Sequence, residues 1–229
     1  MKNSTGFWSV ISLLLILGCE PPESTLRRGA GYDYFPLEAG RYIEYEVGEV
    51  RYTVTSSVPN RSTYFLREVC GQPFIGTTGI EQFPVERYKK SRPEAPWVLD
   101  SIWTAYRIPD RAVRVENNVA FVKLTFPLND QSSWNGNLLN AKPEEIYQVQ
   151  FGASFPARND FPKSLTVVQR RDSSLVSLYK RNEVYAPGVG LVYKEDIALE
   201  YCQEASCIGS GKIDSGSSRI MKVSKYGKE

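Results

Sequence analysis

The feature that most constrains the fold is a series of short segments, from Tyr34 onward, in which apolar and polar residues alternate. This period of two places apolar side chains on one face of a β-strand, and turn residues separate one segment from the next. The clearest segments are 41–55 and 111–126. The other strand candidates are 62–69, 85–90, 97–107, 145–151, 165–170, 176–185, 191–201 and 219–226.

The segment 41–55 predicts a hairpin. Ile43, Tyr45 and Val47 share one face, and the apolar residues after position 49 have the opposite parity. A two-residue turn at Gly48-Glu49 would explain the change, because it places the two apolar faces opposite each other. A continuous strand would instead need a bulge to carry the change of phase.

The segment 111–126 predicts a second hairpin, in which the strand 111–116 pairs with the strand 119–126. Asn117-Asn118 is typical of a tight turn with positive φ angles, which asparagine tolerates. In the strand that follows, Lys123 is predicted to point outward. The residues predicted to point inward are Ala120, Val122, Leu124 and Phe126.

About ten strands exceed what a flat open sheet holds without curling. The residues 97–106 also fit a helical period, but the prolines at 93, 96 and 109 and the local aromatic residues favour a strand. We therefore predict one all-β domain over 34–229, an antiparallel meander. It is expected to curve into a half-barrel resembling lipoprotein carriers or to close as a sandwich.

The N-terminus predicts a lipoprotein signal peptide over residues 1–18. Lys2 precedes an apolar run of about 11 residues, Phe7 to Leu17, which is shorter than the roughly 20 residues that span a bilayer. The sequence Ile16-Leu17-Gly18-Cys19 resembles the bacterial lipobox, in which the cysteine is acylated. The resemblance implies that Cys19 anchors the chain to a membrane through acyl chains such as palmitate.

Residues 19–33 are polar and rich in proline and glycine, as expected of a flexible tether between the lipid and the domain. This organisation predicts a lipid-anchored protein of the bacterial cell envelope, at the outer membrane. The tether lacks the dense acidic run that is associated with export to the outer face of some outer membranes, so both leaflets remain open.

Composition excludes several functional classes. The chain has no histidine, so it lacks the imidazole on which most Ser, Cys and zinc chemistry depends. Its net charge is +2, from 28 basic and 26 acidic residues, which gives no electrostatic basis for binding nucleic acid. No nucleotide-binding or calcium-binding motif is present, and we predict no metal site and no cofactor.

Three cysteines remain besides Cys19. The envelope is oxidising, and the five-residue separation of Cys202 and Cys207 predicts a disulfide that fixes the shape of a loop. Cys70 is then left over as a buried thiol, or it is the true partner of one of the other two.

The strongest catalytic candidate is the pair Glu44 and Glu46, which share one face of the first strand. The pair resembles the alternating carboxylates that act as nucleophile and acid/base on a strand of jelly-roll glycosidases. The competing interpretation, which we favour, is the solvent face of a strand, alongside Arg41 and Arg51. We assign no catalytic residue.

Three stretches, 34–45, 126–137 and 183–195, resemble motifs of a family of Bacteroidetes-type cell-envelope lipoproteins. The first reads FPLEAGRYIEY from Phe35, the second joins FPL at 126 to WNGN at 134, and the third reads EVYAPGVGLVYKE. The resemblance implies an envelope lipoprotein but no activity. We therefore predict a non-catalytic binding or structural module for an apolar, glycan or protein ligand; the alternative is a glycoside hydrolase that uses Glu44 and Glu46.

Overall fold

The computed structural model describes residues 31–153, 155–156 and 159–229. The predicted signal peptide, Cys19 and the tether as far as residue 30 therefore lie outside the described residues. In the described part, 61% of the residues lie in strands, and the helical part is a single short 3-10 turn, η1 (Tyr32–Tyr34). None of the helices found in these ranges is long and apolar enough to span a membrane.

The described residues form 13 strands. They are β1 (Arg41–Thr53), β2 (Ser56–Cys70), β3 (Phe74–Ile75), β4 (Glu81–Lys90), β5 (Val98–Ile108), β6 (Arg111–Glu116), β7 (Val119–Thr125), β8 (Ser133–Asn135), β9 (Ile146–Phe151), β10 (Leu165–Ser173), β11 (Ser177–Ala186), β12 (Gly190–Tyr201) and β13 (Ile213–Lys228).

All strand pairs are antiparallel, and the order across the sheet is β7-β6-β5-β4-β2-β1-β13-β12-β11-β10-β9-β8, with β3 attached to β4. The first and last long strands, β1 and β13, pair along nearly their whole length in the middle of this order. The edges of the sheet are therefore β7 and β8, which follow each other in the chain. The result is a nearly closed half-barrel in meander order, as predicted, rather than a sandwich.

The two edges are held together by a few hydrogen bonds rather than by a strand ladder. The Val122 N–H donates to the Gly136 carbonyl at 2.9 Å, and the Trp134 indole N–H donates to the Val122 carbonyl at 2.9 Å. A Cβ on Gly136 would lie 2.2 Å from the Tyr147 ring on β9, so this position beside β8 has room only for glycine. Trp134 thus closes the seam of the barrel.

One end of the barrel is closed by the N-terminal segment, residues 31–37. Phe35 is buried in the core, the Tyr32 hydroxyl donates to the Pro109 carbonyl at 2.8 Å, and the Gly188 N–H donates to the Asp33 carbonyl at 2.8 Å. The tether boundary predicted at residue 33 is therefore too late, because residues 31–33 already belong to the folded domain.

The hairpin predicted at Gly48-Glu49 is wrong. β1 runs without interruption to Thr53, and the chain turns at 54–55. β1 pairs with β13 on one side and β2 on the other through this region, so backbone hydrogen bonding on both sides keeps it extended. The apolar face simply ends at Val47, and Glu49 continues the same face.

The second hairpin is confirmed in its turn but not in one side-chain direction. Asn117 and Asn118 have φ angles of 49° and 63°, as the predicted turn requires. Lys123, predicted to point outward, is buried inside the barrel because a bulge shifts the register there. The segment 97–106, which also fits a helical period, belongs to strand β5, as predicted.

Candidate functional site

The interior of the barrel contains a cavity of about 400 Å³, lined by residues from both halves of the sheet. The cavity reaches Asn117, in the turn between β6 and β7. Successive turns of a meander lie at opposite ends, and Pro109, in the preceding turn, contacts the N-terminal segment. The cavity therefore extends toward the end opposite that segment.

The cavity lining is strongly charged. The cationic residues are Arg87, Arg114, Lys123, Arg181, Lys194 and Arg219. The acidic residues are Glu68, Glu116, Glu183 and Asp196, so six positive charges face four negative ones, a formal excess of +2. Four aromatic side chains, Tyr64, Trp103, Phe121 and Tyr147, complete the walls. Buried charges are costly unless they are paired, so the pairing decides what this lining can do.

One ion cluster is centred on Glu68. Its carboxylate lies 2.6 Å from Arg114 Nη2 and accepts a hydrogen bond from Arg87 Nε at 3.0 Å. Both guanidinium groups also contact the Trp103 ring, with Cζ atoms 3.7 Å (Arg87) and 4.8 Å (Arg114) from its centroid. Burial raises the pKa of Glu68, but the two arginines outweigh burial and hold it below its ordinary value.

A second cluster is centred on Glu183, which is completely buried. Its Oε1 accepts from Lys123 Nζ at 2.7 Å and from Lys194 Nζ at 2.8 Å, and its Oε2 accepts from the Tyr185 hydroxyl at 2.7 Å. Burial raises the pKa of Glu183, but the two ammonium groups hold it well below its usual range. Lys123 also contacts Glu116 at 3.2 Å, which links the cluster to β6.

Two of the polar residues of the cavity lining lie at β-bulges. Between β6 and β7 the pairing passes from Leu124 to Val122, so Lys123 has no partner residue. Between β10 and β11 it passes from Val168 to Arg170, so Gln169 has none either. A bulge re-aims a side chain that strict alternation would send to the other face. This is the local reason why Lys123 lines the cavity, whereas Gln169 has the same parity as the buried Leu165 and Val167 and would face inward in a regular strand as well.

Five buried donor atoms in the cavity lining have no hydrogen-bond partner among the described residues. They are Nε and Nη2 of Arg114, Nε and Nη2 of Arg181, and Nε2 of Gln169; the two Nη2 atoms lie in ion pairs with Glu68 and Glu145, which leaves three donors without any partner. Gln169 is only 4% exposed, so bulk solvent does not compensate for the missing bond. An orphaned buried donor is costly and uncommon in folded proteins, and a bound molecule that accepts hydrogen bonds would resolve it.

The predicted disulfide is confirmed. Cys202 and Cys207 are bonded, with Cα atoms 5.8 Å apart, in the connection between β12 and β13. Cys70 is a free, buried thiol whose pKa is raised by burial. The disulfide lies outside the cavity lining, so it shapes a connection rather than the site.

The structure places Glu44 and Glu46 on the outer face of β1. They alternate with Tyr45 and Val47, which are buried in the core, and neither carboxylate lines the interior cavity. Glu44 lies 3.6 Å from Arg67 Nη1, and Glu46 is exposed. The predicted pair and the charged cavity are thus separate features of the molecule.

Sequence reasoning missed the residues of the cavity. Arg114 and Glu116 lie on β6 with the same parity as the buried Ala112, which is a signal that points inward. Glu183 stands in the motif that resembles envelope lipoproteins, where it received no role. Gln169 has the same parity as the buried Leu165 and Val167, which is a signal of the same kind. For Lys123 the bulge removes any signal from alternation.

Comparison with family models, curated proteins and solved structures finds no match to the chain. The resemblance of its motifs to envelope lipoproteins therefore stays a prediction. The functional assignment rests on the geometry of the cavity and on the N-terminal sequence.

Proposed function

We propose that this chain is a lipid-anchored protein of the bacterial cell envelope that binds a small polar ligand inside its barrel without catalysing a reaction on it. The observation that carries the proposal is the cavity of about 400 Å³ with charged walls and unpartnered donors. A volume of this size lies in the range of small-molecule sites, about 300–1,000 Å³.

The cost of the charged lining supports a binding role. Replacing a buried ion pair by packed apolar residues of similar volume is often neutral or stabilising. The other end of the same barrel is filled in that apolar way, by residues such as Phe35, Tyr45 and Leu124. A charged and partly empty interior is therefore better explained by a ligand than by the stability of the fold.

The pKa shifts support binding rather than acid/base catalysis. A general acid or base works best when its pKa lies near the operating pH. Here the pKa values of Glu68, Glu116 and Glu183 are lowered, and those of Arg114 and Lys123 are raised; burial opposes each shift, and the ion pairs outweigh it. All five groups are thus held in their charged forms around neutral pH.

The anchoring part of the proposal predicts the behaviour of Cys19→Ser. If acylation of Cys19 holds the protein on the membrane, the variant should leave the washed membrane fraction, where the wild type remains. The folded domain should be unchanged in its circular dichroism, because the substitution lies outside it. Wild-type protein with an unmodified N-terminus in the soluble fraction would contradict the anchor.

The binding part is tested by thermal unfolding of the purified protein with a panel of neutral sugars, sugar acids, organic acids and fatty acids. A cavity ligand should raise the Tm by mass action and change the fluorescence of Trp103, which lines the cavity. The matched control is Glu46→Gln on the outer face, which should respond like the wild type. Glycan hydrolysis that disappears in this control variant would favour the glycosidase instead.

A further inference from the structure

We propose that Gln169 and Arg181 form a seat for an oxyanion group, a carboxylate or a phosphate, on the ligand of this cavity. The inference rests on the proposed function, since it names the chemistry of the ligand that the cavity binds. The two residues belong to neighbouring strands: Gln169 is the bulge residue next to Arg170, whose ladder partner is Arg181.

Gln169 and Arg181 each have a buried hydrogen-bond donor without a partner, and both residues line the cavity. The Arg181 guanidinium forms an ion pair with Glu145 through Nη2, but its buried Nε has no partner among the described residues. Gln169 Nε2 is likewise buried and unpartnered. Two N–H groups without acceptors, on neighbouring strands, match a group that has acceptor oxygens only, as a carboxylate or a phosphate does near neutral pH.

The two buried carboxylates of the cavity lining, Glu68 and Glu183, are already paired with cations, which argues against a ligand that places hydrogen-bond donors there. Glu68 is bonded to two arginines, and Glu183 to two lysines and a tyrosine hydroxyl. A neutral sugar would bring hydroxyl donors that find few free acceptors at these carboxylates. A ligand oxyanion would instead pair with the unused donors.

Cations outnumber carboxylates on the cavity wall itself, six to four. Three carboxylates outside the wall, Glu145, Glu49 and Asp100, pair with Arg181, Arg219 and Arg87, so the excess is local to the wall and is not a net charge of the whole site. Buried cations interact with an anion more strongly than surface cations do, because little water screens them. Arg114, with its own unpartnered Nε, adds to this field from β6.

The experiment is calorimetric titration of the purified full protein with three compounds of similar size: glucuronate, glucose 6-phosphate and glucose. The charged compounds separate the two oxyanion sources, and glucose is the neutral control. We expect at least one charged compound to bind, and glucose to bind at least tenfold more weakly or not at all.

The decisive variant is Gln169→Leu, which removes the unpartnered donor and breaks no hydrogen bond found among the described residues. It should weaken binding of the charged compound at least tenfold, because a hydrogen bond to a charged group is lost. Its Tm without ligand should stay equal to that of the wild type or rise, whereas a side chain with a merely structural role would lower the Tm when replaced.

The matched control is Gln150→Leu, at a residue on β9 outside the cavity lining, which should bind the charged compound like the wild type. Arg181→Gln is the second variant and should weaken binding similarly.

Equal binding of glucose and of the charged compounds would overturn the oxyanion seat but leave the proposed binding function intact. Charged compounds that bind both variants as tightly as the wild type would also overturn the seat, since the oxyanion would then lie elsewhere. If none of these compounds binds, the donors face water only and the seat is wrong. If the wider panel fails as well, the proposed function fails with it.

Discussion

The two ends of the barrel interior are built from the same strands but filled differently. At the end that the N-terminal segment closes, Phe35, Ile43 and Leu191 pack closely and leave a pocket of about 80 Å³. Toward the other end the same strands surround a cavity of about 400 Å³ with charged walls. From β1, Ile43 and Tyr45 line the small pocket, and Val47 lines the large cavity.

Under the proposed function, the two ends of the sheet divide stability and ligand binding between them. The apolar end has the dense packing that stabilises a domain core. The charged end is packed less densely, because it encloses the cavity, and ion pairs hold its side chains in place. Its networks are stable only while every charge keeps its partner, so the two ends should respond differently to substitution and to pH.

The largest expected effect is that of Glu183→Gln. Glutamine keeps the size of the side chain but removes the charge that compensates Lys123 and Lys194. We expect the free energy of unfolding to fall by about 3–5 kcal/mol, the cost of breaking a buried ion pair on one side. Urea denaturation followed by circular dichroism measures this loss.

The matched control for this loss is Glu44→Gln, which removes a carboxylate from an ion pair on the outer face of β1. Because that pair is partly exposed, we expect a change within about 1 kcal/mol. Equal losses in the two variants would mean that burial of the Glu183 cluster contributes nothing special, and the contrast between interior and surface charges would be lost.

Acid should destabilise the charged end next most strongly. The pKa values of Glu68, Glu116 and Glu183 are lowered in the folded state, so their stabilisation is present above the unfolded pKa and is lost as the pH falls toward the folded values. Between pH 7 and pH 4, protonation of the three carboxyls together should lower the free energy of unfolding by up to about 2 kcal/mol.

The measurement is the free energy of unfolding as a function of pH, compared between wild type and Glu183→Gln. The variant lacks one of the three carboxyls, so its stability should fall less steeply between pH 5 and pH 3. Parallel curves would contradict the assignment of this pH dependence to the cavity.

Much of the fold was predictable from the sequence, because alternation reports strands directly. β6 has the predicted bounds, and the segment with an alternative helical period is β5. The prediction of a turn at Gly48 was wrong. A change in the parity of the apolar residues can mean either a turn or the end of an apolar face, and only the pairing on both sides of β1 distinguishes the two. Local sequence carries no record of that pairing.

The cavity was not predictable for a related reason. Its charged residues come from many strands that are distant in sequence, and Glu183 and Lys123, which are 60 positions apart, meet only when the barrel closes. A bulge adds a second obstacle, since it reverses the direction that alternation assigns to Lys123. The disulfide was predictable because its two cysteines are close in sequence.

The smallest expected effect belongs to the apolar end. The Tyr45 hydroxyl donates a hydrogen bond to the Leu191 carbonyl at 3.0 Å, and the whole side chain is buried. Tyr45→Phe removes this bond but keeps the ring, so we expect a loss of about 1 kcal/mol, with no change in the pH dependence between pH 7 and pH 4 because the hydroxyl stays protonated there. Burial raises the pKa of Tyr45 well above its ordinary value, which places its titration far from this range.

The control is Tyr52→Phe, at a residue on the outer face of β1, which should leave the free energy of unfolding unchanged. A loss as large as that of Glu183→Gln would show that the apolar end also depends on a polar contact, and the division between the two ends would not hold.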